Sequence, residues 1–245
     1  MPLQDHDTGE RPAVRFAESV AGRAIIDKVI AYFSATLEGR ENIPAEGGAL
    51  LVVNHGLNGF DGVVLGALLH REAKRMPCWL GEHNLWRIPG LGRVLDFFDA
   101  VPGERDAAIS ILRRGEIVVV YPGGVLDSFK LSTERHKLMW GPRAGFARVA
   151  MAAGVPIVPV AAIGVDDMYT VIGREPWIGR TLLGHQKYDI PIFFGRWGTP
   201  VPRPVPVTIR ALPPVSTAGD PDSPEDVERV RSAVFQAIQS TLDRA

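Results

Sequence analysis

Cysteine and net charge are both scarce in this sequence. Cys78 is the single cysteine among 245 residues, which excludes an internal disulfide and a multi-cysteine metal site. A reducing, cytoplasmic compartment is the expectation. The formal net charge is −1, so no basic field points to nucleic acid as a partner. Residues 1–15 are polar, carry Pro2, Gly9 and Pro12, and lack the basic start and apolar run of a secretory leader. They read as a loose, flexible tail ahead of one α/β domain over 16–245. No stretch reads as a membrane span. The longest apolar run, 149–165, is broken by Gly154, Pro156, Pro159 and Gly164. Contact with lipid would therefore be made from a surface. No serine sits in Gly-x-Ser-x-Gly, the elbow on which an α/β hydrolase carries its nucleophile. No second histidine or cysteine stands at ligand spacing from His55, so no metal is implied.

Secondary-structure periods alternate along the chain. Ile25, Ile26, Val29, Ile30, Phe33 and Leu37 recur at helical spacing, with Arg23, Asp27 and Lys28 on other faces. This predicts an N-terminal amphipathic helix whose apolar stripe faces the core, or in part a membrane. The short apolar run 49–53 reads as a buried strand, 61–71 as a helix and 77–80 as a short strand. Helices are predicted over 91–98 and 105–114, and a strand over 117–121. A helix opened by Pro142 follows over 142–153, then strands over 157–163 and 205–212. A terminal helix over 224–242 has Ser223 as its N-cap, with Glu225 and Asp226 in the first turn. The segment 173–206, rich in Gly, Pro, Trp and Arg, is expected to be ordered but irregular. Alternating strands and helices predict a layered mixed sheet flanked by helices.

Three segments carry residues with chemical potential. The first runs a strand into Asn54-His55 and reaches Asp61 at the start of a helix, five residues intervening. Sites in α/β folds collect where strands end. A histidine there can serve as a base near neutral pH, and a carboxylate can orient it. Taken alone, the pair is as readily a polar loop residue and a helix cap. The second is Tyr121-Pro122-Gly123-Gly124, followed by Asp127. Adjacent glycines after a strand can aim backbone N–H groups at a phosphate or an oxyanion, though Pro-Gly also marks an ordinary tight turn. The third is Val101-Pro-Gly-Glu-Arg105 at the head of a helix. An arginine there favours an anionic ligand, although most arginines are simply solvated.

In order, these segments and Val155-Pro-Ile-Val-Pro-Val160 resemble the four blocks of the glycerolipid acyltransferase superfamily, of the lysophosphatidate acyltransferase type. The likeness spans roughly residues 45–165. It implies that His55 is a catalytic base and Asp61 its partner. It places Asn54, Arg105, Pro122, Gly123, Gly124 and Asp127 around the substrates. No cofactor is implied beyond the co-substrate, an acyl-CoA or acyl carrier protein thioester, with a lipid hydroxyl as acceptor. Three positions depart from the family pattern. Five residues, rather than four, separate His55 from Asp61; Gly123 replaces a glutamate; Leu126 replaces an arginine expected to grip an acceptor phosphate. Pro-Gly-Gly-x-x-acid, ending in Asp127, and Trp140-Gly-Pro-Arg143 are more similar to the branch related to type-2 diacylglycerol acyltransferases. That branch often acylates neutral hydroxyls. The rival expectations are a non-catalytic lipid-binding relative and, further off, a lipid ester hydrolase. The altered spacing and the missing Glu and Arg keep the first open, and a His55–Asp61 pair out of hydrogen-bond reach would favour it.

Overall fold

A computed structural model describes residues 11–175 and 190–245. Strand β2 (Ala49–Val53) sets the architecture, because all five of its residues are buried. Side chains alternate across a strand. Ala49, Leu51 and Val53 therefore face one core and Leu50 and Val52 the other. Buried on both faces, β2 needs covering layers on both.

A seven-stranded sheet surrounds it, in the order β1-β9-β6-β2-β5-β3-β4. The strands are β1 (Thr36–Glu38), β3 (Cys78–Gly81), β4 (Ala100–Pro102), β5 (Ile117–Val120), β6 (Ile157–Ile163) and β9 (Thr208–Ala211). From β6 to β4 every neighbour is parallel; β9 runs antiparallel to β6, and β1 runs with β9. Helix α3 (Phe60–Leu68) covers the first face with Val64, Leu65 and Leu68. The other face is covered by α5 (Arg105–Arg113), α7 (Gly145–Ala153) and α8 (Pro224–Leu242). The expected layered mixed sheet is present, and α8 starts at its expected Ser223 cap, whose Oγ accepts the Asp226 N–H.

Several local expectations are corrected. The stretch expected as a loose tail contains helix α1 (Pro12–Glu18), and residues 1–10 lie outside the described residues. Arg11 ties this helix to the sheet. Its guanidinium meets Asp99 at 3.0 Å, Glu116 at 3.2 Å and the carbonyls of Met76 and Pro77. These partners lie at or just before the N-terminal ends of β3, β4 and β5. The amphipathic helix α2 (Val20–Tyr32) stops before Leu37, which belongs to β1. Its C-terminal half packs Val29, Ile30 and Tyr32 on the core, while Val20 and Ile25 are exposed. Helix α7 starts at Gly145 rather than Pro142. The segment expected to be irregular contains β8 (Ile190–Phe194), which pairs with β7 (Thr170–Glu175) as a separate hairpin with a bulge between Val171 and Gly173.

Arg11 is the test of the N-terminal attachment. Its charge is mostly buried against two carboxylates and two carbonyls, so Arg11→Ala leaves acceptors unpaired. A loss of about 2 kcal/mol or more in urea unfolding is expected; an unchanged midpoint would show that α1 is not anchored this way.

Candidate active site

The C-terminal ends of β2, β5, β3 and β4 open on one edge of the sheet, because these strands are parallel. His55 follows β2, Tyr121 follows β5, and Arg105 follows β4 after a short turn. The loop 56–59 carries the chain from His55 into α3. Asn58 and Gly59 both adopt left-handed backbone, with φ of 61° and 72°. These two residues turn the chain and accommodate the longer His–Asp spacing. Asp61 thereby returns to its histidine: Nδ1 of His55 lies 2.8 Å from Oδ2 of Asp61.

This contact fixes the tautomer. A carboxylate only accepts, so Nδ1–H donates to it, and Nε2 keeps its lone pair. Asp61 is 1% exposed and His55 21%, so the imidazole has an open side while its partner has none. The Tyr121 ring stacks on the imidazole with centroids 4.1 Å apart. Trp79 lies parallel beyond it, at 6.4 Å. Gly62 and Gly66, one turn apart on α3, make room for these rings: a Cβ on Gly66 would come within 3.3 Å of the indole. Burial lowers the His55 pKa, but Asp61 and, further off, Asp127 raise it more, and the net value lies above that of an ordinary histidine. Burial, with the Asp61 charge beside it, pushes the Tyr121 phenol well above its usual range.

The remaining predicted residues divide into those that meet His55 and those that do not. Asn54 was expected at the substrates. It is buried instead, donating from Nδ2 to the Ala162 carbonyl at 3.0 Å and accepting the Ala162 N–H at 2.7 Å. Asp127 was also expected there. It is wholly buried, with Oδ2 accepting the His55 N–H at 3.4 Å and Oδ1 the Met139 N–H at 2.7 Å. Pro122 and Gly123 form the turn after β5, and Gly124 opens α6 (Gly124–Ser128). The Gly124 N–H bonds to the Tyr121 carbonyl, so the Gly123 N–H is the better oxyanion donor of the two. Arg143 holds this turn from outside, through the carbonyls of Pro122 at 3.2 Å and Gly123 at 2.6 Å. Arg105 stands on the same sheet edge, but three strand spacings from β2, about 14 Å. It is half exposed, with Asp222 4.0 Å away.

Tyr121, Trp79, Gly62 and Gly66 were not singled out by role in the sequence. The glycines at i and i+4 in an apolar helix were the available signal of a large ring packed close by. Ser128, the serine nearest this turn, is buried and donates to the Gly56 carbonyl at 2.9 Å, so it offers no free nucleophile. Among the described residues no cluster of three or more His, Cys, Asp or Glu could hold a metal ion.

A strand-end His–Asp pair, beside a glycine turn on a parallel sheet edge, is the arrangement the sequence blocks imply. The chain belongs to the acyltransferase family, whose model matches residues 34–163. Relatives extend the match. A human protein described as a "DGAT1/2-independent enzyme synthesizing storage lipids" is 29% identical over 211 residues, covering 85% of this chain and 60% of the relative. An uncharacterised protein of Mycobacterium tuberculosis is 30% identical over 222 residues, covering 87% of this chain and 62% of the relative. The chain thus spans about 60% of the length of these relatives. Among solved structures, the 1-acyl-sn-glycerophosphate acyltransferase PlsC of Thermotoga maritima matches with a TM-score of 0.54 at 18% identity, over 94% of this chain and 87% of that one. At that identity the match establishes a shared fold.

The raised imidazole pKa gives a pH dependence with a definite sign. A base works as neutral imidazole, so kcat/KM for the reaction proposed below should rise with pH through this pKa, with a midpoint above about 6.5. Asp61→Asn removes the main charge that raises it. The acidic limb should then move to lower pH while the maximal rate falls. An acidic limb that stays in place in Asp61→Asn would contradict the assignment.

Proposed function

We propose that this protein is an O-acyltransferase that moves a fatty acyl group from a thioester donor, acyl-CoA or acyl carrier protein, to the hydroxyl of a lipid. The 2.8 Å bond between His55 and Asp61 at the sheet edge carries the reading. An alcohol is a weak nucleophile at neutral pH. Nε2 takes the hydroxyl proton as the oxygen attacks the thioester carbonyl, and Nδ1–H stays on Asp61. The tetrahedral oxyanion is met by the Gly123 N–H, and its collapse expels the thiolate, which takes up the proton held by His55. No acyl-enzyme is required. A pair within bonding distance weighs against the non-catalytic alternative, and the engaged Ser128 hydroxyl weighs against a serine hydrolase.

The acceptor is proposed to be a neutral hydroxyl lipid, such as a mono- or diacylglycerol or a long-chain alcohol. Leu126 is 45% exposed on α6 and supplies an isobutyl group where a phosphate ligand would need a guanidinium. Arg105, across the sheet edge, suits the donor's phosphates better than the acceptor. The protein is proposed to work at a membrane surface from the cytoplasmic side. Among the described residues no helix is long and apolar enough to cross a membrane. Val20 and Ile25 on α2 are exposed, as are Ile172, Phe194 and Trp197 in and after the hairpin. Arg196 lies over the Trp197 ring at 4.0 Å, an aromatic–cation pair suited to a lipid interface. The aromatics of this segment that suggest membrane contact by sequence are Trp177, Phe193, Phe194 and Trp197; Phe193 packs against the core, and Trp177 falls outside the described residues.

His55→Ala should remove about 10²- to 10⁴-fold of the turnover in a folded protein; turnover close to wild type would sink the mechanism. For the acceptor, lysophosphatidate and monoacylglycerol compete at equal concentration in the same vesicles with one acyl donor. Monoacylglycerol should be preferred and Leu126→Arg should shift the ratio toward lysophosphatidate, while sedimentation of the vesicles reports surface binding. A preference of the unaltered protein for lysophosphatidate, or protein left wholly in the supernatant, would refute the corresponding proposal.

A further inference from the structure

Gly123, which stands where the common family pattern has a glutamate, and Asp127, which ends the Pro-Gly-Gly-x-x-acid form, meet in space. A Cβ built on Gly123 would collide with the Asp127 side chain, with Oδ2 2.6 Å away. Gly123 itself has an ordinary backbone, φ −69°, so what restricts this position is occupied volume. The occupant is a carboxylate. It arrives from one helical turn further along the chain and fills the space that a side chain at 123 would enter.

Three segments converge on that carboxylate. It accepts the backbone N–H of His55, just past β2, and the N–H of Met139, in the segment leading to α7. Its own backbone N–H reaches back to the Gly123 carbonyl at 3.4 Å, closing the turn after β5. Arg143 holds the same Gly123 carbonyl from the other side. A buried carboxylate is costly unless its oxygens are engaged. Here they are engaged by the main chain of the histidine itself.

We propose that Asp127 is a positioning residue, a relocated counterpart of the third-block glutamate, which locks the His55 main chain to the glycine turn and requires glycine at 123. Its link to catalysis rests on the acyl-transfer reading above, while its link to Gly123 and to the His55 main chain does not. The charges and titratable groups facing the imidazole are Asp61 from α3, Asp127 from α6, Lys130 just beyond α6 and Tyr121 at the end of β5. Asp127 supports the protonated imidazole and Lys130 opposes it.

The test pairs a stability cycle with an imidazole titration, neither of which needs substrate. Gly123→Ala should lower the melting temperature clearly in the otherwise unaltered protein and far less alongside Asp127→Gly, which empties the space. Equal losses in both backgrounds would overturn the shared volume. In ring-labelled protein, Asp127→Asn should lower the pH at which His55 titrates by NMR, because a charge that favours imidazolium is gone. An amide can also accept only one of the two N–H groups, so the loop should loosen. An unmoved titration together with an unshifted His55 backbone amide resonance would overturn the positioning role. Turnover then reads the catalytic consequence: Asp127→Asn should cost roughly 10- to 100-fold in kcat, with KM for the donor little changed. The double variant Gly123→Glu with Asp127→Gly should recover part of the loss suffered by Asp127→Gly alone, and no recovery would overturn the relocation. If His55→Ala leaves turnover intact, the acyl-transfer reading fails while the melting and NMR results still decide the position of Asp127. Because Asp127→Asn preserves side-chain shape, the titration remains available if Asp127→Gly does not fold.

Discussion

The site depends on how the chain leaves β2. Backbone pairing between β2 and β6 ends near Val53 and Val160. The next residue, Asn54, continues the ladder with its side chain. Its amide presents one donor and one acceptor to Ala162, as a peptide group would. The main chain is then free to turn away at the sheet edge while remaining pinned to it. His55 is therefore held at a strand end without itself being a strand residue. Everything described at the site hangs from that pin: the imidazole over Tyr121, the loop that brings Asp61 back, and the N–H turned toward Asp127.

The electrostatics follow from packing charged groups where water has little access. Asp61 and Asp127 lie buried around a partly open imidazole. Lys130 pairs with Asp166 at 3.0 Å close by, both nearly inaccessible. Two carboxylates alone would drive the histidine strongly toward its cationic form, which is useless as a base. Burial and the Lys130 charge act the other way. The outcome is an imidazole whose affinity for protons exceeds that of a free histidine, yet which can still lose its proton.

Much of this was legible in the sequence wherever period and position agreed. The runs Ala49–Val53 and Ile157–Ile163 and the capped helix Pro224–Leu242 have the boundaries that their patterns predict. His55 and Asp61 were readable as a pair because a strand end and a helix start frame them. What was not legible is direction. Asn54 adjoins the histidine and Asp127 ends the glycine-turn block, and the family resemblance placed both around the substrates. Both face inward and bond to main chain, a distinction that only the packed structure makes. Arg105 shows the same limit along the sheet edge: block order indicates which strand end carries it, but not that two strands intervene between β2 and β4. The α2 stripe failed at Leu37 because a helical period and a following short strand can share apolar residues.

The stack of Trp79, Tyr121 and His55 against Gly62 and Gly66 makes five positions, in a strand, at a strand end, in a loop and on a helix, into a single unit of inheritance. Growth at either glycine comes within 3.3 Å of the indole or the Tyr121 hydroxyl, closer than ordinary van der Waals contact, so the ring must give way. A lineage that enlarges the helix must therefore trim a ring, and trimming a ring removes the surface on which the imidazole rests. Drift at these sites is constrained to move in concert, so the aromatic wall and the small face of α3 should diverge together or not at all.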